Sequence, residues 1–173
     1  MIESRTAVDH IGLTVPDLDQ AIAFFVELFG CEVVYTAGPY DNVGYIWTGE
    51  DEPEPARVRL AVLTHNRSHN FELLEYRSDT TPDRSEPPRP SSPGGAHIAF
   101  YVEDIEGTVE RLKSHPDIHF LGALEREVGG PIHGLDWVYV RTPWGLVIEL
   151  LHWRHGLPYE EKTTARLVPP PWL

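Results

Sequence analysis

The sequence predicts an α+β chain built as two tandem βαβββ modules, and three observations carry that prediction. A pattern that opens at His10 returns at His97: each His precedes an Ile, and seven residues later comes an Asp followed by Leu18 or Ile105. The two copies also end alike, in Phe71-Glu72-Leu73-Leu74 and Ile148-Glu149-Leu150-Leu151. Between those ends, short alternating runs surround one stretch of helical periodicity per copy. The expected boundaries are 7–77 for the first module, 78–95 for a linker, 96–154 for the second module and 155–173 for a tail.

In the first copy, residues 8–15 alternate apolar with small or polar residues, as a half-buried strand does. Pro16 stops it. Asp17 is a helix N-cap, and Gln20 completes a capping box. Leu18, Ala21, Ile22, Phe25, Leu28 and Phe29 recur at helical spacing, and Gly30 stands where a C-cap glycine belongs. Strands are expected near 31–36, 43–48, 58–64 and 70–76. The second copy repeats the order. A strand covers 96–102, and Asp104 caps a helix carrying Ile105, Val109 and Leu112, which Pro116 brings to an end. Strands follow near 118–124, 136–141 and 146–153, the last entered through a tight turn at Thr142-Pro143-Trp144-Gly145. Ser78 to Gly95, rich in Pro, Ser, Arg and Gly, reads as an exposed linker. The tail reads as polar and irregular, with Trp172 as its docking residue.

Composition narrows the function. Apolar residues make up 41% of the 173, enough for a core. Lys and Arg number 14 against 27 Asp and Glu, a formal net charge of -13. A chain so acidic, with no basic cluster, argues against nucleic acid and anionic membranes as partners. The single cysteine, Cys31, permits no intrachain disulfide and reads as a buried structural thiol. No apolar leader or membrane-spanning run is visible, so the expected location is cytoplasmic.

His10, Glu72, His97 and Glu149 are the candidate metal ligands. Strand alternation places His10 with Gly12 and Thr14, and His97 with Ala99 and Tyr101. The bulkier Ile11, Leu13 and Val15, like Ile98, Phe100 and Val102, are expected to pack under the helices. Glu72 shares a face with Leu74 and Tyr76, and Glu149 with Val147, Leu151 and Trp153. A carboxylate on an apolar face is costly unless paired, protonated or bound to a cation. Duplication puts equivalent residues at equivalent places, so two imidazoles and two carboxylates can converge on one divalent metal. Trp47, Tyr101, Trp137 and Trp153 are candidate pocket residues, alongside Tyr45, Tyr139 and Trp144. His133, on the Gly-rich loop 129–134, is a candidate lid or acid–base residue. His152 is expected on the face turned away from Glu149.

On these residues the chain resembles the vicinal oxygen chelate superfamily. That superfamily holds glyoxalase I, methylmalonyl-CoA epimerase, extradiol dioxygenases and the fosfomycin and bleomycin resistance proteins. The resemblance is carried by His10-Ile11-Gly12-Leu13-Thr14-Val15 with its Asp-Leu helix, and by Glu149-Leu150 after a Pro-x-Gly turn. It spans about residues 8–153. It implies a half-open, eight-stranded, barrel-like cup whose ligands come from the first and last strands of each module: His10, Glu72, His97 and Glu149. It further implies one divalent ion (Ni, Co, Zn, Fe, Mn or Mg), a small-molecule substrate with chelating oxygens, and a homodimer. The usual Asp-Pro-Asp-Gly turn is here Thr142-Pro143-Trp144-Gly145, which puts a Trp at the cleft rim.

The ligand pattern is most like that of glyoxalase I and methylmalonyl-CoA epimerase, which implies an isomerase, epimerase or lyase. In such members the metal stabilises the enediolate left when a proton leaves the carbon beside a carbonyl. Glu149 is then the expected main base and Glu72 the partner returning a proton on the opposite face. The first rival is an Fe(II)-dependent extradiol-type dioxygenase. That branch resembles a facial triad of two His and one carboxylate, and Glu72 as a fourth ligand crowds the face that substrate and dioxygen need. The second rival is a ligand-sequestering protein of the bleomycin-resistance type, whose members lack the metal residues.

Overall fold

A computed structural model describes residues 7–41, 56–78, 87–170 and 172. The chain divides into two compact units, Met1–Arg84 and Ser85–Leu173. The fold is α+β as predicted, and the described residues of each unit form one mixed sheet and one α-helix. The strand expected over 43–48, and with it Tyr45 and Trp47, lies outside the described residues.

The first unit runs β1 (Ile11–Thr14), α1 (Leu18–Phe29), β2 (Glu32–Tyr40), β3 (Arg57–His65) and β4 (His69–Arg77), in sheet order β1-β4-β3-β2. The first strand pairs parallel to the last, and the other pairs are antiparallel. β1 is shorter than the expected 8–15. Ile11 pairs with Phe71, the third residue of β4, and Val8 is left exposed. Asp17 caps α1 by accepting the Gln20 N–H at 2.9 Å. Gly30 ends the helix in the left-handed region at φ 65°, where a Cβ is disfavoured. One face of α1 buries Leu18, Ala21, Phe24 and Phe25, and the sheet answers with buried Ala61, Leu63, Phe71 and Leu73. Phe25 stacks on Phe71 with ring centroids 6.0 Å apart. Cys31 is buried, and burial pushes its thiol up to about 11. Ile11, expected under the helix, is instead exposed at the edge strand.

The second unit runs β5 (His97–Tyr101), α2 (Ile105–Leu112), β6 (His119–Phe120), β7 (Glu125–Arg126), β8 (Asp136–Arg141) and β9 (Val147–His152). Its sheet order is β5-β9-β8-β6, with β7 also on β8. Again the first strand lies parallel to the last. Asp104 caps α2 through the Gly107 N–H at 2.9 Å. The strand expected over 118–124 is split. His119 pairs with Arg141 and Glu125 with Trp137, so the register slips by two residues and the chain around Gly122 loops out. The turn before β9 forms as predicted: Gly145 donates to the Thr142 carbonyl at 3.0 Å and has φ 94°.

The tail is more ordered than its composition suggested. Leu157 is buried with Leu135 and Trp153, and Pro158–Glu161 form one 3-10 turn. The Tyr159 N–H donates to the Pro131 carbonyl, tying the tail to the Gly-rich loop. Among the described residues, no helix is long and apolar enough to cross a membrane.

Candidate functional site

The parallel pairing of first and last strand is what brings each His to its Glu. In the first unit Glu72 pairs with Gly12, two residues beyond His10. In the second, Glu149 pairs with Ala99, two residues beyond His97. A two-residue offset keeps both side chains on one face of the sheet, as diagonal neighbours. Small residues at Gly12 and Ala99 leave the space between them open; a Cβ on Gly12 would lie 3.9 Å from Glu72 Oε2. The result is the same pair twice. His10 Nε2 lies 3.3 Å from Glu72 Oε2, and His97 Nε2 lies 3.0 Å from Glu149 Oε2. Both imidazoles are open to solvent while both carboxylates are half-buried.

The opposite face of each closing strand is the core. Phe71 and Leu73 flank Glu72, and Ile148 and Leu150 flank Glu149, all buried. His152 lies on that core side, as expected, with its Nδ1 3.0 Å from the Val102 carbonyl.

The two pairs are held by different neighbours. His10 Nδ1 lies 2.8 Å from Asp9, which leaves Nε2 as the nitrogen turned to Glu72. That hydrogen bond holds the His10 pKa above its ordinary value, partly offset by desolvation, with the Glu72 charge adding to the rise. Across the sheet Glu72 faces Val62. Glu149 faces Tyr139 instead. The Tyr139 ring meets His97 edge-on, with centroids 5.6 Å apart at 83°. Burial pushes the Tyr139 phenol up, and the neighbouring Glu149 carboxylate adds to the rise. The sequence offered Tyr139 only as one pocket aromatic among several. The turn held the missing signal: a closed loop at 142–146 pairs Arg141 with Val147, and counting back sets Tyr139 opposite Glu149.

Tyr101, Trp137 and Trp153 share the face of Glu149 but gather in one cluster with Leu135, Leu151, Leu157 and Tyr159. Tyr101 donates to the Trp153 carbonyl at 3.3 Å, and Trp153 is buried under the tail. His133 accepts the Gly129 N–H on Nδ1 at 2.8 Å, so one ring nitrogen closes its own loop. Trp144 is half-buried on the turn.

The donor set suits a divalent cation. An ion bound about 2.1 Å from an imidazole nitrogen and a carboxylate oxygen holds those atoms about 3.0 to 3.4 Å apart at octahedral to tetrahedral angles. The separations of 3.3 and 3.0 Å fall within that range. Within either unit alone, the described residues supply one such pair and no third His, Cys, Asp or Glu to complete it. Each unit therefore presents one His–Glu pair.

Comparison with known proteins gives the family and the fold. The model of the Glyoxalase/Bleomycin resistance protein/Dioxygenase superfamily matches residues 9–121. A 2-epi-5-epi-valiolone epimerase from an Actinomyces species is 41% identical over 171 residues, covering 98% of this chain and 91% of that protein. A probable lactoylglutathione lyase of Vibrio parahaemolyticus is 28% identical over 155 residues, covering 86% and 91%. Among solved structures, a glyoxalase family protein of Bacillus cereus superposes with a TM-score of 0.69 at 23% identity, covering 88% of this chain and 97% of that one. The trypanothione-dependent glyoxalase I of Leishmania major gives 0.57 at 24% identity, covering 91% and 94%. These structural likenesses carry the fold.

Proposed function

The chain belongs to the glyoxalase/bleomycin resistance protein/dioxygenase superfamily, and from that premise we propose that it is a metal-dependent epimerase acting on a hydroxylated ketone. The substrate class is that of 2-epi-5-epi-valiolone, the compound named for the relative at 41% identity. His10, Glu72, His97 and Glu149 are the ligands of one divalent ion. The observation that carries this reading is the pair of equivalent His–Glu contacts at the same register in both units. A bound divalent cation supplies Lewis acidity, drawing off the negative charge that develops on adjacent substrate oxygens. The chain's own residues move the proton. Glu149 takes it from the carbon beside the carbonyl, and Glu72 returns one to the opposite face, which inverts that carbon. The active form is a homodimer.

The test is turnover of 2-epi-5-epi-valiolone in deuterated water by protein loaded in turn with Co, Zn, Ni, Fe, Mn and Mg. The expected product carries one deuteron at an inverted carbon next to the carbonyl. Glu149→Gln is expected to lower kcat by about 100-fold or more, as loss of a general base does, while metal stays bound. Full turnover by metal-loaded Glu149→Gln would refute the assignment of the base. Oxygen uptake with Fe(II) and a catechol would instead favour dioxygenase chemistry. Light scattering checks the dimer.

A further inference from the structure

The two acids of the proposed site are not equivalent, because Tyr139 stands where the first unit has Val62. We propose that Tyr139 is a positioning residue for Glu149, its hydroxyl holding one carboxylate oxygen while its ring edge braces His97. The inference rests on the reading of Glu149 as metal ligand and base given above.

The physical reason lies in burial. The Glu149 side chain is 14% exposed against 23% for Glu72. A carboxylate that lets go of a cation in so enclosed a place is left uncompensated unless a donor faces it. Tyr139, paired with Glu149 across the strands, carries a hydroxyl able to donate there, and Val62 carries none opposite Glu72. A hydrogen bond to the second oxygen of a ligand carboxylate also fixes the direction of the first. The edge-on contact with His97 ties the imidazole to the same ring. One tyrosine thus faces both members of the second pair, His97 by its ring edge and Glu149 across the strands. No bond to Tyr139 is made or broken. The proton passes from substrate carbon to Glu149, and the phenol keeps its own.

Tyr139→Phe tests this, since it keeps the ring and removes only the hydroxyl. Metal-free protein is titrated with Co(II), and the variant's Kd is expected to rise by about 10-fold or more, the usual effect of losing a residue that orients a ligand. At saturating Co(II), kcat is expected to fall about 10-fold with KM within about 3-fold, and the urea midpoint to stay put. Tyr139→Leu, which also removes the brace on His97, is expected to weaken Co(II) further. Parent values of both Kd and kcat in Tyr139→Phe would overturn the inference and leave the proposed function standing. Parent turnover in Glu149→Gln would instead sink the proposed base, and the Co(II) Kd alone would then decide the role of Tyr139.

Discussion

In the first unit the residue three places beyond Glu72 is Glu75, whose carboxylate accepts the Leu18 N–H at 2.7 Å. In the second unit the same place holds His152, whose Nδ1 meets the Val102 carbonyl. Both side chains clamp the passage from opening strand to helix, one as an acceptor at the helix start and one as a donor to the carbonyl before the cap. Glu75 also meets Arg77 and Arg59 and suits the positive end of the helix dipole. The helices differ as much. α1 has 12 residues, with Phe24, Phe25 and Phe29 in mutual contact. α2 has 8, buries Ile105 and Val109, and leaves a groove of about 390 Å³ against Phe120 and the looped-out residues 122–124. That groove is on the helix side, away from His97 and Glu149. The lesson is that the His–Glu pair and its register recur in both units while the helix packing and the clamp beside them differ.

That contrast can be broken at several points. Phe25→Ala removes a side chain fully buried in the aromatic cluster and is expected to cost about 3 to 5 kcal/mol, measured by urea unfolding. Val109→Ala, beside an existing groove, is expected to cost about 1.5 kcal/mol. Equal costs would show that the two helices are held alike. Glu75→Ala strands the Leu18 N–H and is expected to cost about 2 kcal/mol, against about 1 for His152→Ala.

The smallest effect separates the units by pH. Arg126 and Asp136 pair in the second unit, and the Arg126 guanidinium holds the Asp136 carboxyl below its usual 3.8. The folded carboxylate resists protonation more than the unfolded one. Its stabilisation is therefore complete above about pH 4 and is lost as pH falls through the lowered folded value. With Arg126 largely exposed, Asp136→Asn is expected to cost about 1 kcal/mol at neutral pH and to flatten the acid limb of stability. An unchanged acid limb would remove the pair from the account.

Much of this was legible because local signals and register agree. Asp17, Gly30 and Asp104 marked helix ends through their own side-chain or backbone chemistry. The alternation around Glu72 and Glu149 told which face each carboxylate takes. Features set by long-range pairing were less visible. The length of β1 depends on its pairing with β4, and the split of β6 from β7 depends on a register slip on β8. The burial of Leu157 depends on a hollow formed by Leu135 and Trp153, which no local pattern announces.

The parallel pairing of opening and closing strands has a consequence for how the protein is made. His10 and Glu72 are 62 residues apart in the chain, and His97 and Glu149 are 52. During synthesis each imidazole emerges first and waits for nearly a whole unit to follow before its acid arrives. A half-translated or clipped unit thus lacks one half of its His–Glu pair. The closed contact becomes a certificate that the final strand of each repeat has docked.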